Sequence, residues 1–212
     1  MDTVGKLLAK KLLGISAVKL QPKNPFTWAS GWKSPIYTDN RKTLSYPDVR
    51  TFVKVELTRL IAEKFGDFDV IAGVATGAIA QGALIADELG MPYVYIRSAA
   101  KDHGMGNLIE GDIKPGQKVV VVEDLISTGG SCIEVVDALR EAGAEVLGIV
   151  SIFTYGMKRG VERIAAANTV NYSLSNLDAL VEVAAEEGYI APEWKERILA
   201  FRDNPSDESW IK

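Results

Sequence analysis

The stretch VVVVEDLISTGGS, residues 119–131, carries the clearest indication of the fold of this chain. Four consecutive valines predict a buried strand, and the small polar residues and glycines that follow predict a turn into a helix. Backbone N–H groups at such a turn and the positive end of the helix favour an anion, which glycine allows to approach closely. Glu123 and Asp124 would repel an anion but suit a sugar diol or a hydrated Mg²⁺. A ligand with a phosphate at one end and a diol in the middle therefore fits the whole stretch.

Two common phosphate-binding motifs do not match this stretch. The lysine of the Walker P-loop, G-x-x-x-x-G-K-[ST], is absent, and the glycine spacing is not the G-x-G-x-x-G of dinucleotide-binding folds. The alternative without a ligand is a strand-to-helix turn whose hydroxyls cap the helix, with two solvated acids before it.

Composition excludes several classes of function. The 212 residues suffice for one domain with a sizeable core, and a net charge of -4 argues against general nucleic-acid binding. No apolar run reaches the ~18 residues of a membrane span, and the N-terminal segment lacks the apolar core of a signal peptide. We therefore expect a cytoplasmic protein. Because Cys132 is the only cysteine and His103 the only histidine, we expect neither an intramolecular disulfide nor a Cys- or His-rich metal centre.

Apolar runs and helical periodicity alternate along most of the chain, after an irregular first third that predicts short strands and loops. The predicted strands cover residues 69–74, 92–97, 118–124 and 145–155, and the predicted helices cover residues 2–13, 47–65, 77–90, 129–144, 158–167, 177–187 and 192–202. A polar loop is expected at residues 98–116 and a polar tail at the C-terminus. Alternation with nearly continuous apolar strands predicts an α/β fold with a mainly parallel sheet covered on both faces.

Ligands of open α/β sheets bind outside the carboxyl ends of the strands. This rule selects four places: residues 74–78, the segment from Arg97 onward, residues 123–131 and the region near Tyr155. The functional residues are expected among them.

The segment RSAAKDHGMGNLIEG, residues 97–111, is a long connection of a kind that is uncommon unless it is functional or mobile. Arg97, Lys101 and His103 together could bind a polyanion, and His103 could donate a proton near neutral pH. The alternative is a solvated hairpin loop.

Two further segments carry candidate ligand-binding groups. GVATGAIAQGA, residues 73–83, offers a second set of backbone amides for anions, although a helix cap explains it equally well. In FTWASGWKSPIYTDNR, residues 26–41, Tyr37 could stack on a flat ring, while Lys33 or Arg41 could pair with a carboxylate. Taken alone, this segment favours a small satellite core with a charged rim.

Residues 119–131 resemble the PRPP-binding signature of the type I phosphoribosyltransferases. The segments at 26–41, 73–83 and 97–111 resemble orotate phosphoribosyltransferases in order and spacing, and the likeness covers approximately residues 5–190. It implies the type I phosphoribosyltransferase fold: a central mainly parallel sheet flanked by helices, with a small N-terminal hood and a mobile catalytic loop. One domain is expected over residues 1–212, with a hood segment, a PRPP-binding core and C-terminal helices at approximately 1–45, 46–175 and 176–212.

The resemblance implies Mg²⁺-dependent transfer of the 5-phosphoribosyl group from PRPP to orotate, giving orotidine 5′-monophosphate and pyrophosphate in pyrimidine (UMP) biosynthesis. The implied catalytic residues, which bind pyrophosphate and close over the site, are Arg97, Lys101 and His103. The implied substrate-binding residues are Glu123 and Asp124 at the ribose hydroxyls, Ser127, Thr128, Gly129, Gly130 and Ser131 at the 5′-phosphate, Ala75, Thr76 and Gly77 at the pyrophosphate, and the adjoining Leu125 and Ile126. Mg²⁺ would be carried mainly by PRPP, with water-mediated contact to the two acids and no metal site of the protein's own.

The likeness also implies a homodimer in which the 98–111 loop of one subunit reaches the neighbouring active site. The sequence departs from some family members at Ala29 and Ser98, where those members have lysine, and FTYGMKRG lacks their D-R pair. Lys33 and Arg41 are therefore the candidates for the orotate carboxylate, beside Tyr37.

Two other functions share the signature at residues 119–131. One is a phosphoribosyltransferase for a purine or another pyrimidine base. The other is a PRPP-sensing regulator without catalysis, which would be expected to carry a nucleic-acid-binding module or a basic face. We expect no further domain in 212 residues, and the chain retains Lys101 and His103, so the enzyme is the preferred hypothesis.

Overall fold

The computed structural model describes residues 3–97 and 108–211. In this part of the chain the strands are β1 (Val18–Leu20), β2 (Phe26–Thr27), β3 (Lys33–Ser34), β4 (Ile36–Thr38), β5 (Val70–Val74), β6 (Tyr93–Ile96), β7 (Ile109–Glu110), β8 (Lys118–Ile126), β9 (Glu145–Thr154) and β10 (Asn171–Asn176). The α-helices are α1 (Thr3–Gly14), α2 (Pro47–Lys64), α3 (Ile79–Leu89), α4 (Gly130–Glu141), α5 (Lys158–Ala166), α6 (Leu177–Glu186) and α7 (Trp194–Asp203). Short 3-10 helices cover Asn40–Ser45 and Ser209–Ile211.

A six-stranded sheet in the order β10-β9-β8-β5-β6-β7 forms the centre of the fold. All neighbours pair in parallel except β6 and β7, which are antiparallel. The four valines of β8 are completely buried, as expected of a central parallel strand covered on both faces. The predicted α/β class and mainly parallel sheet are therefore confirmed.

The helices follow the apolar periodicity of the sequence. In α2, a proline occupies the first turn, and the buried residues Val49, Val53, Leu57 and Ile61 recur every four positions, which gives one apolar face. Helix α3 ends at Gly90, whose left-handed conformation (φ 62°) suits glycine at a helix end. These two helices pack against each other beside the sheet.

Three local features differ from the sequence-based prediction. Strand β8 continues beyond the two acids, because Leu125 and Ile126 still pair with β9. The predicted loop at 98–116 contains β7, where Ile109 is buried against the core. The predicted polar tail is anchored, since Trp210 is only 4% exposed.

The N-terminal segment folds over the carboxyl end of the sheet. Strands β1 and β4 form one antiparallel pair, and β2 and β3 form another. The Asn40 side chain donates a 2.7 Å hydrogen bond to the carbonyl oxygen of Asp124, which fixes this segment to the end of β8. No helix within the described ranges is long and apolar enough to cross a membrane.

Candidate active site

Two adjoining cavities lie at the carboxyl end of the sheet. The polar cavity, about 380 Å³, is lined by Thr38, Asp39, Arg41, Val74, Ala75, Thr76, Gly77, Glu123, Asp124, Leu125 and Ser131. The aromatic cavity, about 460 Å³, is lined by Phe26, Thr27, Trp28, Ala29, Tyr37, Thr38, Leu125, Ser127 and Tyr155. Because Thr38 and Leu125 line both, one elongated ligand could occupy the two cavities together.

The two acids of β8 have different surroundings although they are adjacent in sequence. Glu123 is only 3% exposed, and both of its carboxylate oxygens accept hydrogen bonds within the protein. One accepts from the backbone N–H of Asp124 at 2.9 Å, and the other from the Ser131 hydroxyl at 3.1 Å. Asp124 is partly exposed at the polar cavity. Asp124 is therefore the more accessible of the two acids that line the polar cavity.

Burial raises the pKa of the Glu123 carboxyl well above its ordinary value of 4.5, and the charge of Asp124 raises it further. Desolvation and a neighbouring like charge both disfavour the ionised form. The hydrogen bonds from the Asp124 backbone and from Ser131 act in the opposite direction. The net effect is that the folded protein disfavours the ionised form of Glu123.

The turn after β5 approaches Asp124 closely. A Cβ atom at Gly77 would collide with the Asp124 carboxylate, so only glycine allows this approach. Thr76 is exposed, and the peptide bond between Ala75 and Thr76 is cis. The predicted second anion-binding turn therefore lies beside the acid pair, on the wall of the polar cavity.

Residues 127–129 connect β8 to α4, so the predicted loop at residues 127–131 includes the first two residues of that helix. Gly129 adopts a left-handed conformation (φ 72°) as the N-cap of α4, which places the following backbone N–H groups at the helix start. The Cys132 thiol donates a hydrogen bond to the carbonyl oxygen of Gly129 at 3.3 Å. Burial raises the pKa of this thiol to about 12, so it stays protonated at neutral pH and is not a nucleophile.

Aromatic residues form the second cavity. Tyr37 is 44% exposed and packs against Phe26, with ring centroids 5.7 Å apart. Trp28 packs on Tyr155 at 5.4 Å, and its indole N–H donates to the carbonyl oxygen of Ile36 at 3.1 Å. The Trp28 ring is thereby fixed, whereas Tyr37 presents free surface to a flat ligand.

The predicted cations occupy three different positions. Arg41 lines the polar cavity, and its Nε lies 2.7 Å from Asp39. Lys33 lies opposite Thr27 in the β2–β3 pair and donates to its hydroxyl at 2.8 Å, at the edge of the aromatic cavity. Arg97 lines a third cavity of about 330 Å³, which shares Val74, Ala75 and Ser131 with the polar one, and forms an ion pair with Glu110 at 3.6 Å.

Lys101 and His103 lie outside the described residues, and so does most of the predicted 98–111 loop. Within residues 3–97 and 108–211, no group of three or more His, Cys, Asp and Glu side chains is arranged to hold a metal ion. Any Mg²⁺ at the polar cavity would therefore depend on oxygen atoms of the ligand as well as on Asp124.

Sequence reasoning missed several residues of the site. Thr38 and Asn40 were not assigned a role, although Thr38 lines both cavities and Asn40 holds the end of β8. The segment at 26–41 contained both residues, but their polar side chains resemble those of any loop. Trp28 was recognised only as part of an aromatic-rich segment.

The chain is similar to known phosphoribosyltransferases in sequence and in fold. A sequence model of the Phosphoribosyl transferase domain matches residues 51–182. An orotate phosphoribosyltransferase of Phocaeicola vulgatus is 59% identical over 212 residues, which is 100% of this chain and 96% of that protein. Another of that name from Bacillus cereus is 58% identical over 206 residues, 97% of this chain and 98% of that protein.

Solved structures share the fold. Orotate phosphoribosyltransferase from Aeropyrum pernix has a TM-score of 0.75 and 28% identity, covering 87% of this chain and 99% of that one. UMP synthase of Leishmania donovani has a TM-score of 0.79 and 29% identity, covering 93% of this chain and 42% of that one. The enzyme of Mycobacterium tuberculosis in complex with PRPP has a TM-score of 0.64 and 25% identity, covering 84% of this chain and 98% of that one.

Proposed function

We propose how the cavities of this chain carry out the transfer of a phosphoribosyl group, given that it belongs to the phosphoribosyl transferase family and, within it, to the orotate phosphoribosyltransferases. The reaction is Mg²⁺-dependent transfer of the 5-phosphoribosyl group from PRPP to orotate, which yields orotidine 5′-monophosphate (OMP) and pyrophosphate. The observation that carries the proposal is the junction of the two cavities at Thr38 and Leu125. The anomeric carbon of PRPP would lie at this junction, between its leaving group and the base.

PRPP would occupy the polar cavity and the adjoining loop. Backbone N–H groups and hydroxyls of residues 127–131 would bind the 5′-phosphate, because the start of α4 provides a favourable field for an anion. Asp124 would accept hydrogen bonds from the ribose hydroxyls, directly or through Mg²⁺-bound water. Glu123, whose oxygens are occupied inside the protein, would hold Asp124 and Ser131 in position.

Orotate would occupy the aromatic cavity. Its flat ring fits the exposed face of Tyr37, and its carboxylate requires a cation nearby. Lys33 is our assignment for that cation, since the Thr27 hydroxyl that holds its ammonium group is on the cavity wall. Arg41 is the second candidate, but it lines the polar cavity and is already paired with Asp39.

Catalysis would rest on positioning and on charge stabilisation, because the transition state at C1 resembles an oxocarbenium ion. The departing pyrophosphate would interact with the turn at residues 75–77 and with Arg97. Family resemblance assigns Lys101 and His103 to the same leaving group. Mg²⁺ carried by PRPP would neutralise part of its charge. Orotate has ionisable ring nitrogens of its own, so no strong protein base is needed.

The decisive test of this function is the loss of orotate absorbance after addition of PRPP and Mg²⁺. We expect the loss only when all three are present, and we expect formation of pyrophosphate in equal amount. Uracil, hypoxanthine and adenine serve as control bases in the same assay. Turnover of one of these bases without turnover of orotate would instead support another member of the superfamily.

We further infer a cytoplasmic homodimer in which residues 98–111 of one subunit serve the active site of the other. The support is family resemblance. Mixing Lys101→Ala subunits with Asp124→Asn subunits should restore activity at PRPP concentrations where each variant is impaired alone, because half of the sites in the heterodimer would then carry both native residues. Verified heterodimers with no recovered activity would contradict the shared site.

A further inference from the structure

Arg163 is a cation to which the proposed reaction gives no role. It lies beside the loop at residues 127–131, called here the phosphate loop because the proposed function places the 5′-phosphate there. It lies on α5, is partly buried, and donates a 3.2 Å hydrogen bond through Nη1 to the carbonyl oxygen of Thr128. The same nitrogen would lie 3.1 Å from a Cβ atom at Gly130. The guanidinium group is therefore next to the middle of the loop at residues 127–131.

The helix that carries Arg163 packs tightly on this loop. A Cβ atom at Gly160 would lie only 2.6 Å from the carbonyl oxygen of Ser127, and the left-handed Gly129 faces the carbonyl oxygen of Gly160. Gly160 and Arg163 are three positions apart, so both lie on the same face of α5. The close packing at Gly160 brings Arg163 within reach of Thr128.

The positive charge of Arg163 is not neutralised by the part of the protein that is described. No Asp or Glu side chain in residues 3–97 and 108–211 forms an ion pair with it within 4.0 Å. Its charge also reaches the first turn of α4, where it lowers the pKa of the Cys132 thiol against the larger, opposite effect of burial. An uncompensated cation at the start of α4 adds to the field that favours an anion there.

We infer that Arg163 is a positioning residue of the 5′-phosphate site, which fixes the loop through Thr128 and supplies one positive charge to the phosphate of PRPP and OMP. This inference rests on the proposed function, since that function places the 5′-phosphate at residues 127–131. Arg41, the cation of the polar cavity, is by contrast paired with Asp39.

The test compares two ligands that differ only in the phosphate: OMP and its nucleoside, orotidine. Arg163→Gln should weaken OMP binding by about ten-fold or more, the effect of losing one nearby charge, and leave orotidine binding within about two-fold. The OMP affinity of the wild type should also fall more steeply with salt than that of Arg163→Gln. Both affinities are measured by isothermal titration calorimetry.

Arg159→Gln is the matched control. Arg159 is on the same helix and is exposed, so its substitution makes the same change in net charge away from the loop. We expect it to bind both ligands like the wild type.

Two further variants keep the test decisive if the glutamine variant unfolds. Arg163→Met removes the charge but keeps the apolar stem of the side chain. Arg163→Lys should recover part of the OMP affinity that Arg163→Met loses, at equal thermal stability.

The outcomes separate this inference from the function on which it rests. A wild-type protein that binds neither OMP nor PRPP would refute the proposed function. A wild type that binds OMP normally, with Arg163→Gln and Arg163→Met equally tight, would overturn the role of Arg163. Equal loss of OMP and orotidine affinity in these variants would also overturn it, because the residue would then support the whole cleft and not the phosphate.

Discussion

At the residue level, Glu123 and Asp124 are distinguished by their burial. Both line the polar cavity, but Glu123 is buried and its oxygens accept hydrogen bonds from Ser131 and from the backbone of Asp124, whereas Asp124 is partly exposed. Two adjacent carboxylates in water would be equivalent, but burial of one of them separates their roles. Through its hydrogen bond with Ser131, Glu123 holds the start of α4.

Substitution of each acid by its amide tests this division. Asp124→Asn should raise the dissociation constant of PRPP by about ten-fold or more, since a hydrogen bond to a charged group contributes about 1.5–3 kcal/mol. Glu123→Gln preserves the size of the side chain and should change that constant by less than about three-fold. Calorimetric titration with PRPP measures both. An equal loss in the two variants would mean that Glu123 also contacts the ribose.

The raised pKa of Glu123 predicts how stability depends on pH. The unfolded chain releases this proton near the ordinary value of 4.5, whereas the native protein retains it to higher pH. Between these two pKa values the native state binds more protons, so this group makes the wild type less stable as pH rises. Glu123→Gln removes this pH dependence. The melting temperature of the variant minus that of the wild type should therefore increase from pH 5 to pH 8 in the absence of ligand. A constant difference across this range would contradict a raised pKa.

At the scale of elements, the site depends on how closely α5 approaches the loop after β8. Ser127 and Gly160 are in contact because glycine leaves room for the carbonyl oxygen of the loop. Strand β8 continues through Leu125 and Ile126, so the loop leaves the sheet directly beneath this helix. The shape of the loop at residues 127–131 is thus set by two elements, of which α4 provides the N–H groups and α5 the support.

Gly160→Ala should therefore disturb the phosphate loop. The added methyl group would lie 2.6 Å from the Ser127 carbonyl oxygen, and the resulting displacement should cost about 1–3 kcal/mol of stability. PRPP and OMP should bind more weakly, while orotate alone should bind normally. Gly66→Ala is the control, since a Cβ atom there meets nothing within 4 Å. Denaturant unfolding and calorimetry measure these effects, and unchanged OMP affinity in Gly160→Ala would argue against support by α5.

In the molecule as a whole, a row of aromatic contacts joins Trp210 to the aromatic cavity. Trp210 packs on Phe201, Phe201 on Trp28, and Trp28 on Tyr155, with ring centroids 5.7, 5.6 and 5.4 Å apart. Trp28 and Tyr155 line the aromatic cavity. Trp210 is therefore connected by packing to the wall of the aromatic cavity, although it is far from Trp28 and Tyr155 in sequence.

Trp210→Ala tests this connection. Loss of a buried tryptophan should reduce the free energy of unfolding by about 3–5 kcal/mol, and the KM for orotate should increase more than the KM for PRPP. Both constants are determined at a temperature where the variant remains folded. Tyr189→Ala is the control, because Tyr189 is 51% exposed and its removal should change stability by less than about 0.5 kcal/mol. Equal increases in the two KM values would show that Trp210 acts on general stability alone.

The sequence by itself determined the α/β class, the mainly parallel sheet and the family. These depend on local patterns: the valines of β8, the periodicity of α2, and the small polar residues and glycines at 127–131. It also identified Asp124 and residues 127–131 as candidates, because backbone amides at a strand-to-helix turn need no distant partner.

Only the tertiary structure decided how those candidates differ from one another. Three hydrogen bonds join residues that are distant in the chain: Ser131 to Glu123 over 8 positions, Arg163 to Thr128 over 35, and Asn40 to Asp124 over 84. The role of Trp210 likewise depends on packing through Phe201 and Trp28. Periodicity and motif spacing report what a residue does within its own element, whereas burial and charge compensation depend on which other elements pack against it.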